Sequence, residues 1–455
     1  MPNLEKEVKE RLANNQSIEK IRLDLISQGY LESDVNMAVS SVSGFIAQKE
    51  GKENSRLVAK AFFKDLFDRL GFGFGSQQYI NILFFLSGAS LFLIGIVNGI
   101  RVLLIALLNP LVEEWARVKK LGNSFIALNG FLFAASFVLV IIARYLNNIP
   151  LFIAAFIVGA ITLVVFGNSY SKLLKQNLRP EKRGILSKIS QIGLLLTAVS
   201  LFASAFIMDK VTDGYAFSFG IAAGCFVVSA FIMFLFRRSL HKQETAASNF
   251  MGELRTHVSL FLKNKLILVL LIASTITAFV QTIGNFYYGI FIYTFLGKTG
   301  FGGFLNVATV FIVATLASLV APFITRINSK AYGKFPMLVF GTLLIAIMPL
   351  TYFYNPNLVS ISMATMLGII GAAIVGVAHG LLILDLLHEA DRRYYFRVSN
   401  LLITIPYLIT IPLGSYIAQL YGLRTLFLVL GVALVGIVMP LYLVIIFLYH
   451  RKFKV

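Results

Sequence analysis

The stretch Asn109-Pro-Leu-Val-Glu113-Glu114-Trp115-Ala-Arg117-Val-Lys119-Lys120-Leu-Gly122 is a short, densely charged island between two long apolar runs, and it holds the chain's single Trp. Ionised groups are costly in hydrocarbon, so charge packed this tightly between membrane-length segments belongs at a water interface. The runs on either side then cross a bilayer and the island is the loop that joins them.

Composition agrees. The chain has 455 residues, 58% hydrophobic and 13% charged, with a mean hydropathy of +0.81; soluble chains are about a quarter charged. The lone Cys225 excludes a disulfide framework and a cysteine metal site, and the five histidines form no His-x-x-x-His pair. Gly71-Phe-Gly-Phe-Gly-Ser76 has no preceding strand and no Gly-Lys-Ser/Thr, so it reads as a flexible joint and not a phosphate loop. No cofactor, metal or catalytic residue is expected; a membrane enzyme would need His, Asp or Glu clustered at one depth. The net charge of +19 suggests a nucleic-acid partner until it is located. Residues 1–78 hold 11 Lys/Arg and 11 Asp/Glu, and the excess lies in loops too short to build such a surface. No nucleic-acid partner is expected.

Residues 1–48 read as three short amphipathic helices, with Ile18, Ile21, Leu25 and Ile26 on one apolar face and Val35, Ala38, Val39 and Val42 on another. The string from Ile21 through Gly29-Tyr30 to Val39 resembles a UBA-like three-helix module, which implies a protein partner for residues 1–48; the alternative is a small soluble cap. Residues 49–75 read as a linker followed by an interfacial helix, in which Val58, Phe62, Leu66 and Leu70 oppose Lys60, Lys64, Asp65 and Asp68.

From Tyr79 onward twelve runs are long enough, at roughly 20 residues each, to span the lipid: 79–97, 102–116, 123–143, 149–171, 185–208, 215–236, 266–296, 302–324, 335–353, 358–387, 398–420 and 424–449. The first serves as its own insertion signal. With the N-terminus inside, the inside loops and tail hold 24 Lys/Arg; the outside loops hold 5, Arg101, Arg144, Lys210, Lys298 and Arg424. Both termini are therefore expected in the cytoplasm, in a cell membrane crossed many times. The polar loop 240–265 divides an N-terminal six-helix half, 76–239, from a C-terminal one, 266–455. The halves echo each other: Glu181-Lys182-Arg183 by Asp391-Arg392-Arg393, and Pro110, Arg117 and Gly122 by Pro322, Arg326 and Gly333. Such duplication is the common construction of secondary transporters.

Over residues 76–455 the chain resembles the major facilitator superfamily. Its signature after the second span runs Gly-x-x-x-Asp-Arg-x-Gly-Arg-Arg/Lys; here Asn109 stands at the first Gly, Glu113 at the Asp, Glu114 at the first Arg, Ala116 at the second Gly and Arg117 at the next Arg. The acid and one base persist in type, while both glycines and the first Arg are replaced. Arg179-Pro-Glu181-Lys-Arg183-Gly184 is similar to the family's loop after span 4. The resemblance implies an all-α fold of two pseudo-symmetric six-helix halves, alternating-access transport of a small solute, and a latch formed by Glu113 and Arg117 with Arg326 of the echoed loop. Span 149–171 lacks the Arg of many proton-coupled members, and 185–208 lacks the Pro of many drug–proton antiporters.

Polar groups in mid-span are the candidate cavity residues, because unsatisfied polar groups are costly in lipid. Gln281 and Asn285 share a helix face that Tyr288 extends, and Ser87 and Ser90 fall in the middle of the first span; interhelical bonding that only packs the bundle is the alternative. His379, the one histidine in an apolar run, carries a group that ordinarily titrates near neutrality and is the candidate for proton coupling; a satisfied structural histidine is the alternative. The main rival function is a non-transporting receptor or scaffold that signals through residues 1–48.

Overall fold

The computed structural model describes residues 2–13, 18–28, 30, 32–118, 123–177, 183–236, 261, 263–331 and 333–453. Nearly all are helical, with no strand among them. Two compact units form. One comprises Met1–Phe62 with Asn177–Leu186, the other Phe63–Gln176 with Ser187–Val455.

In the first unit lie α1 (Pro2–Ala13), α2 (Ile18–Ser27) and the early part of α3 (Glu32–Phe74). Leu4, Val8, Ile21, Leu25, Val35, Ala38, Val39 and Val42 close a small core of their own. Ile26, expected on the α2 apolar face, is exposed. Arg11 pairs with Glu7 at 2.5 Å and Asp24 at 3.5 Å, tying α1 to α2. The backbone stays helical through the polar stretch expected to be a linker.

The second unit is the membrane body. Ten helical runs among the described residues are long and apolar enough to cross a bilayer. The last, Tyr394–Arg451, covers 58 residues and is kinked at Gly422, where φ is +82°. From the N-terminal side the helices are α4 (Gln77–Leu86), α5 (Leu91–Val118), α6 (Asn123–Tyr145), α7 (Ile149–Asn177), α8 (Arg183–Lys210) and α9 (Gly214–Phe234). Then come α10 (Lys265–Phe295), α11 (Gly303–Ala331), α12 (Lys334–Tyr354), α13 (Leu358–Leu386), α14 (Glu389–Thr404), α15 (Tyr407–Ala433), a short π-helix (Leu434–Val438) and α16 (Met439–Phe453). In the first half α6 packs on α9; in the second, α12 packs on α15 and the π-helix. These are equivalent places in a six-helix repeat.

Four expectations change. The run 79–97 is not one span: α4 stops at Leu86, Ser87–Ser90 form a turn around Gly88 (φ +94°), and α5 starts at Leu91. Apolar composition continues through the turn, so hydropathy does not register it. The charged island is not a loop at Glu113–Arg117, because α5 continues helical to Val118; Lys119–Gly122 lie outside the described residues. The glycines from Gly71 to Gly75 are not a loose joint. A Cβ on Gly71 would lie 2.7 Å from Phe226, on Gly73 1.7 Å from Ser200 Oγ and on Gly75 2.2 Å from Phe137, so they admit α9, α8 and α6 to close contact.

The fourth change concerns the helix 56–70, expected to lie in the membrane interface with its charges facing water. Lys64 is instead only 1% exposed. It pairs with Asp68, which accepts a hydrogen bond from Ser229 of α9, and its ammonium sits 3.8 Å from the Tyr170 ring centroid and 4.3 Å from that of Phe166. Phe63, on the other side, is half exposed. The helix is amphipathic with the polar side inward, the arrangement lipid favours when charges can pair inside the bundle.

Candidate functional site

The start of α4 is rich in amides because Gln77, Gln78 and Asn81 fall within its first five residues. Gln78 Nε2 donates to the Asn285 carbonyl (2.9 Å) and its Oε1 accepts from the Gly289 N–H (3.3 Å). Asn285 and Gly289 are four apart in α10, so one side-chain amide caps a C=O and N–H that an α-helix would join to each other. Gly289 permits the approach, since a Cβ there would lie 2.6 Å from Gln78 Oε1. Asn81 donates to the Phe286 carbonyl (3.2 Å), and its Oδ1 accepts from both Asn98 of α5 and Gln77 at 3.0 Å. The result is a buried, uncharged network linking the two halves. Neutral amides join helices in lipid without the cost of burying charge.

Beside this network a cavity of about 130 Å³ opens among α4, α5, α6, α7 and the residues just before α4. Its polar lining comes from Arg101, Ser76, Gln77 and Ser136, and the rest is largely phenylalanine and aliphatic. Arg101 was expected in an outside loop. It lies well inside α5, because the helix starts at Leu91 and places residue 101 three turns in. No ion pair of Arg101 is found among the described residues.

The sequence candidates separate. Gln281 is half-buried and Asn285 exposed, while Tyr288 is buried and stacks on Phe427 at 5.1 Å. The shared face thus ends in packed aromatics, and only its Gln281–Asn285 portion is open. Ser87 and Ser90 are not in mid-span: they flank the turn between α4 and α5, where Ser87 Oγ donates to the Leu83 carbonyl and Ser90 Oγ accepts from the Leu93 N–H. His379 has both ring nitrogens engaged, Nδ1 with Ser274 Oγ and Nε2 with Tyr395 OH, each at 2.9 Å. It joins α10, α13 and α14, with hydroxyls as its partners. Arg326 is exposed on α11; the side chains of Glu113 and Arg117 lie outside the described residues.

Hydrogen bonds between the halves gather toward one end of the bundle. Asp209, at the end of α8, accepts from the backbone N–H groups of Phe304 (3.0 Å) and Leu305 (2.8 Å) at the start of α11. There a carboxylate meets the positive end of the helix dipole. Gln419 of α15 accepts from the Phe92 N–H at 3.3 Å, and the Tyr287 hydroxyl donates to the Leu91 carbonyl at 2.8 Å. A Cβ on Gly95 would lie 1.8 Å from Ser415 Oγ, so α5 and α15 meet almost backbone to backbone.

Sequence reasoning missed Gln78, Asn81, Asn98, Arg101 and Asp209. A signal existed for two of them: Asn98 and Arg101 interrupt an apolar stretch at 91–112, but windows ending at 97 and restarting at 102 put both in a loop.

Comparison with known proteins points the same way. The Major Facilitator Superfamily profile matches residues 70–399. No curated protein sequence matches the chain. Among solved structures, a point variant of the nucleoside transporter NupG superposes with a TM-score of 0.70 at 14% identity, covering 85% of this chain and 99% of that one. NupG itself gives 0.66 at 11% identity, with 86% and 98% covered. The human organic anion transporter MFSD10 (TETRAN) gives 0.52 at 14% identity, with 86% and 99% covered. The profile match, the helical membrane body and the paired halves together establish that the chain belongs to the Major Facilitator Superfamily of membrane transporters.

Proposed function

We propose that this protein carries a small polar solute across a cell membrane by alternating access, with twelve crossings: the first nine runs, two in Tyr394–Arg451 on either side of the Gly422 kink, and residues 63–86. The observation that supports it is the one-ended closure of the halves: Asp209 on the start of α11, Gln419 on Phe92 and Tyr287 on Leu91. A carrier facing one side needs its halves locked at the other, with bonds that break at modest cost. The closed end carries the described connections poor in Lys and Arg, at 87–90, 146–148 and 211–213, so it is the outer one, the carrier faces the cytoplasm, and both termini are cytoplasmic. Gln281 and Asn285 then line the path on the C-terminal half, and Gln77 and Arg101 on the N-terminal half. The three-helix unit at the N-terminus, with its own core, docks a cytoplasmic protein. The likeness to nucleoside and organic anion transporters is consistent with a small polar cargo.

The test uses protein with Cys225 replaced and cysteines at positions 92 and 419, reconstituted in vesicles. A short thiol cross-linker should stop uptake of the labelled solutes the protein carries, and reductive cleavage should restore it. Full cross-linking with undiminished uptake would refute alternation at this end, and no uptake of any solute in a broad panel would refute transport.

A further inference from the structure

The Arg101 cavity has a chemistry that selects its occupant. An Arg in the middle of a membrane helix is costly unless something pairs with it. Among the described residues no acidic side chain lines the cavity to offset that cost. A guanidinium presents parallel N–H pairs matched to a carboxylate. Ser76 adds a second donor, because its hydroxyl makes no cap bond to α4 even though it occupies the N-cap position. The remaining wall includes Phe72, Ile80, Phe133, Phe137, Phe156 and Leu163, which suits an alkyl chain and not a second charge. Size narrows the class further. The cavity, about 130 Å³, is slightly smaller than the roughly 150 Å³ cavity that takes up a benzene molecule.

We propose that this pocket binds a short-chain monocarboxylate, with its carboxylate on Arg101 and Ser76 and its alkyl tail among the phenylalanines. What the bound anion is for rests on the transporter reading; that it binds rests on the pocket alone.

The experiment is calorimetric titration of the purified full-length protein with sodium butyrate, with butyramide as the neutral isostere and with sodium phosphate. Butyrate should bind at least tenfold more tightly than butyramide, and more tightly than phosphate. Arg101→Gln should erase the preference for butyrate over butyramide. Arg101→Lys, which keeps the charge but loses the fork, should retain part of it, and Ser76→Ala should weaken butyrate several-fold. Equal affinity for butyrate and butyramide, a preference for phosphate, or an unchanged preference in Arg101→Gln would each overturn the proposal. Should Arg101→Gln fail to fold, the wild-type ratio of butyrate to butyramide decides. Failure here leaves solute uptake untouched, whereas butyrate binding without uptake of any solute would remove the transport reading and leave the pocket.

Discussion

The strongest test of the membrane body is the buried pair on α3. Lys64→Met removes the cation and leaves Asp68 with Ser229 and partial access to water, its side chain being 17% exposed. Removing one member of a buried pair costs about 3–5 kcal/mol. With Asp68 partly solvated, the lower end applies, about 3 kcal/mol. Asp68→Leu leaves the ammonium, whose side chain is 1% exposed, with the neighbouring Asp65 and the Phe166 and Tyr170 rings. Those neighbours return part of what the ion pair supplied, so the lower end, about 3 kcal/mol, is expected here too. The double variant removes both charges and should fall within about 1 kcal/mol of wild type, since apolar replacement of a buried pair is often neutral. The assay is reversible unfolding in mixed micelles, arranged as a double-mutant cycle. If α3 instead lay on the membrane surface, each single change would cost no more than about 0.5 kcal/mol, as exposed ion pairs do. That result would refute the inward-facing placement. Large single effects that merely add would show that the two residues do not act as a pair.

Three further outcomes are expected. Asp209→Ala removes a carboxylate from two backbone N–H groups at a helix start, worth about 1 kcal/mol; the closed-to-open ratio read by cross-linking between positions 92 and 419 should fall about fivefold, and an unchanged ratio would mean Asp209 does not hold that end. Gly289→Ala places a Cβ 2.6 Å from Gln78 Oε1, so it should lower transport as Gln78→Leu does and add little to that variant; additive losses would argue against the amide bridge. His379→Ala strands the Ser274 and Tyr395 hydroxyls and should cost about 1–3 kcal/mol of stability. The pH profile of uptake should stay unchanged, and a lost pH response in a folded variant would make His379 a proton carrier.

The sequence alone carried the architecture. Apolar runs of spanning length fix a helical membrane fold because backbone groups in lipid must bond within their own segment. The alternation of basic and poorly charged loops fixes a membrane orientation to expect, and Val35, Ala38, Val39 and Val42 show the periodicity that closes the small N-terminal core. What composition does not carry is direction. Residues 56–70 show an amphipathic face, yet the pattern reads alike whether the charged side meets water or a partner inside the bundle; only the positions of Ser229, Phe166 and Tyr170 decide it.

The site was less legible for a related reason. Windowed hydropathy averages over residues and passes through the turn at Ser87–Ser90, so Arg101 was assigned to water when it lies inside α5. Gln281 and Asn285 were visible as polar breaks in an apolar helix. Their counterparts Gln78 and Asn81 gain meaning only because α4 meets α10 at the one glycine that admits a side-chain amide to the backbone. The sequence thus determined that the chain enters the membrane as helices, but not that the helix around Lys64 turns its charges into the bundle. Tertiary packing alone decided which polar groups would face each other there, because that depends on contacts between residues some 200 positions apart.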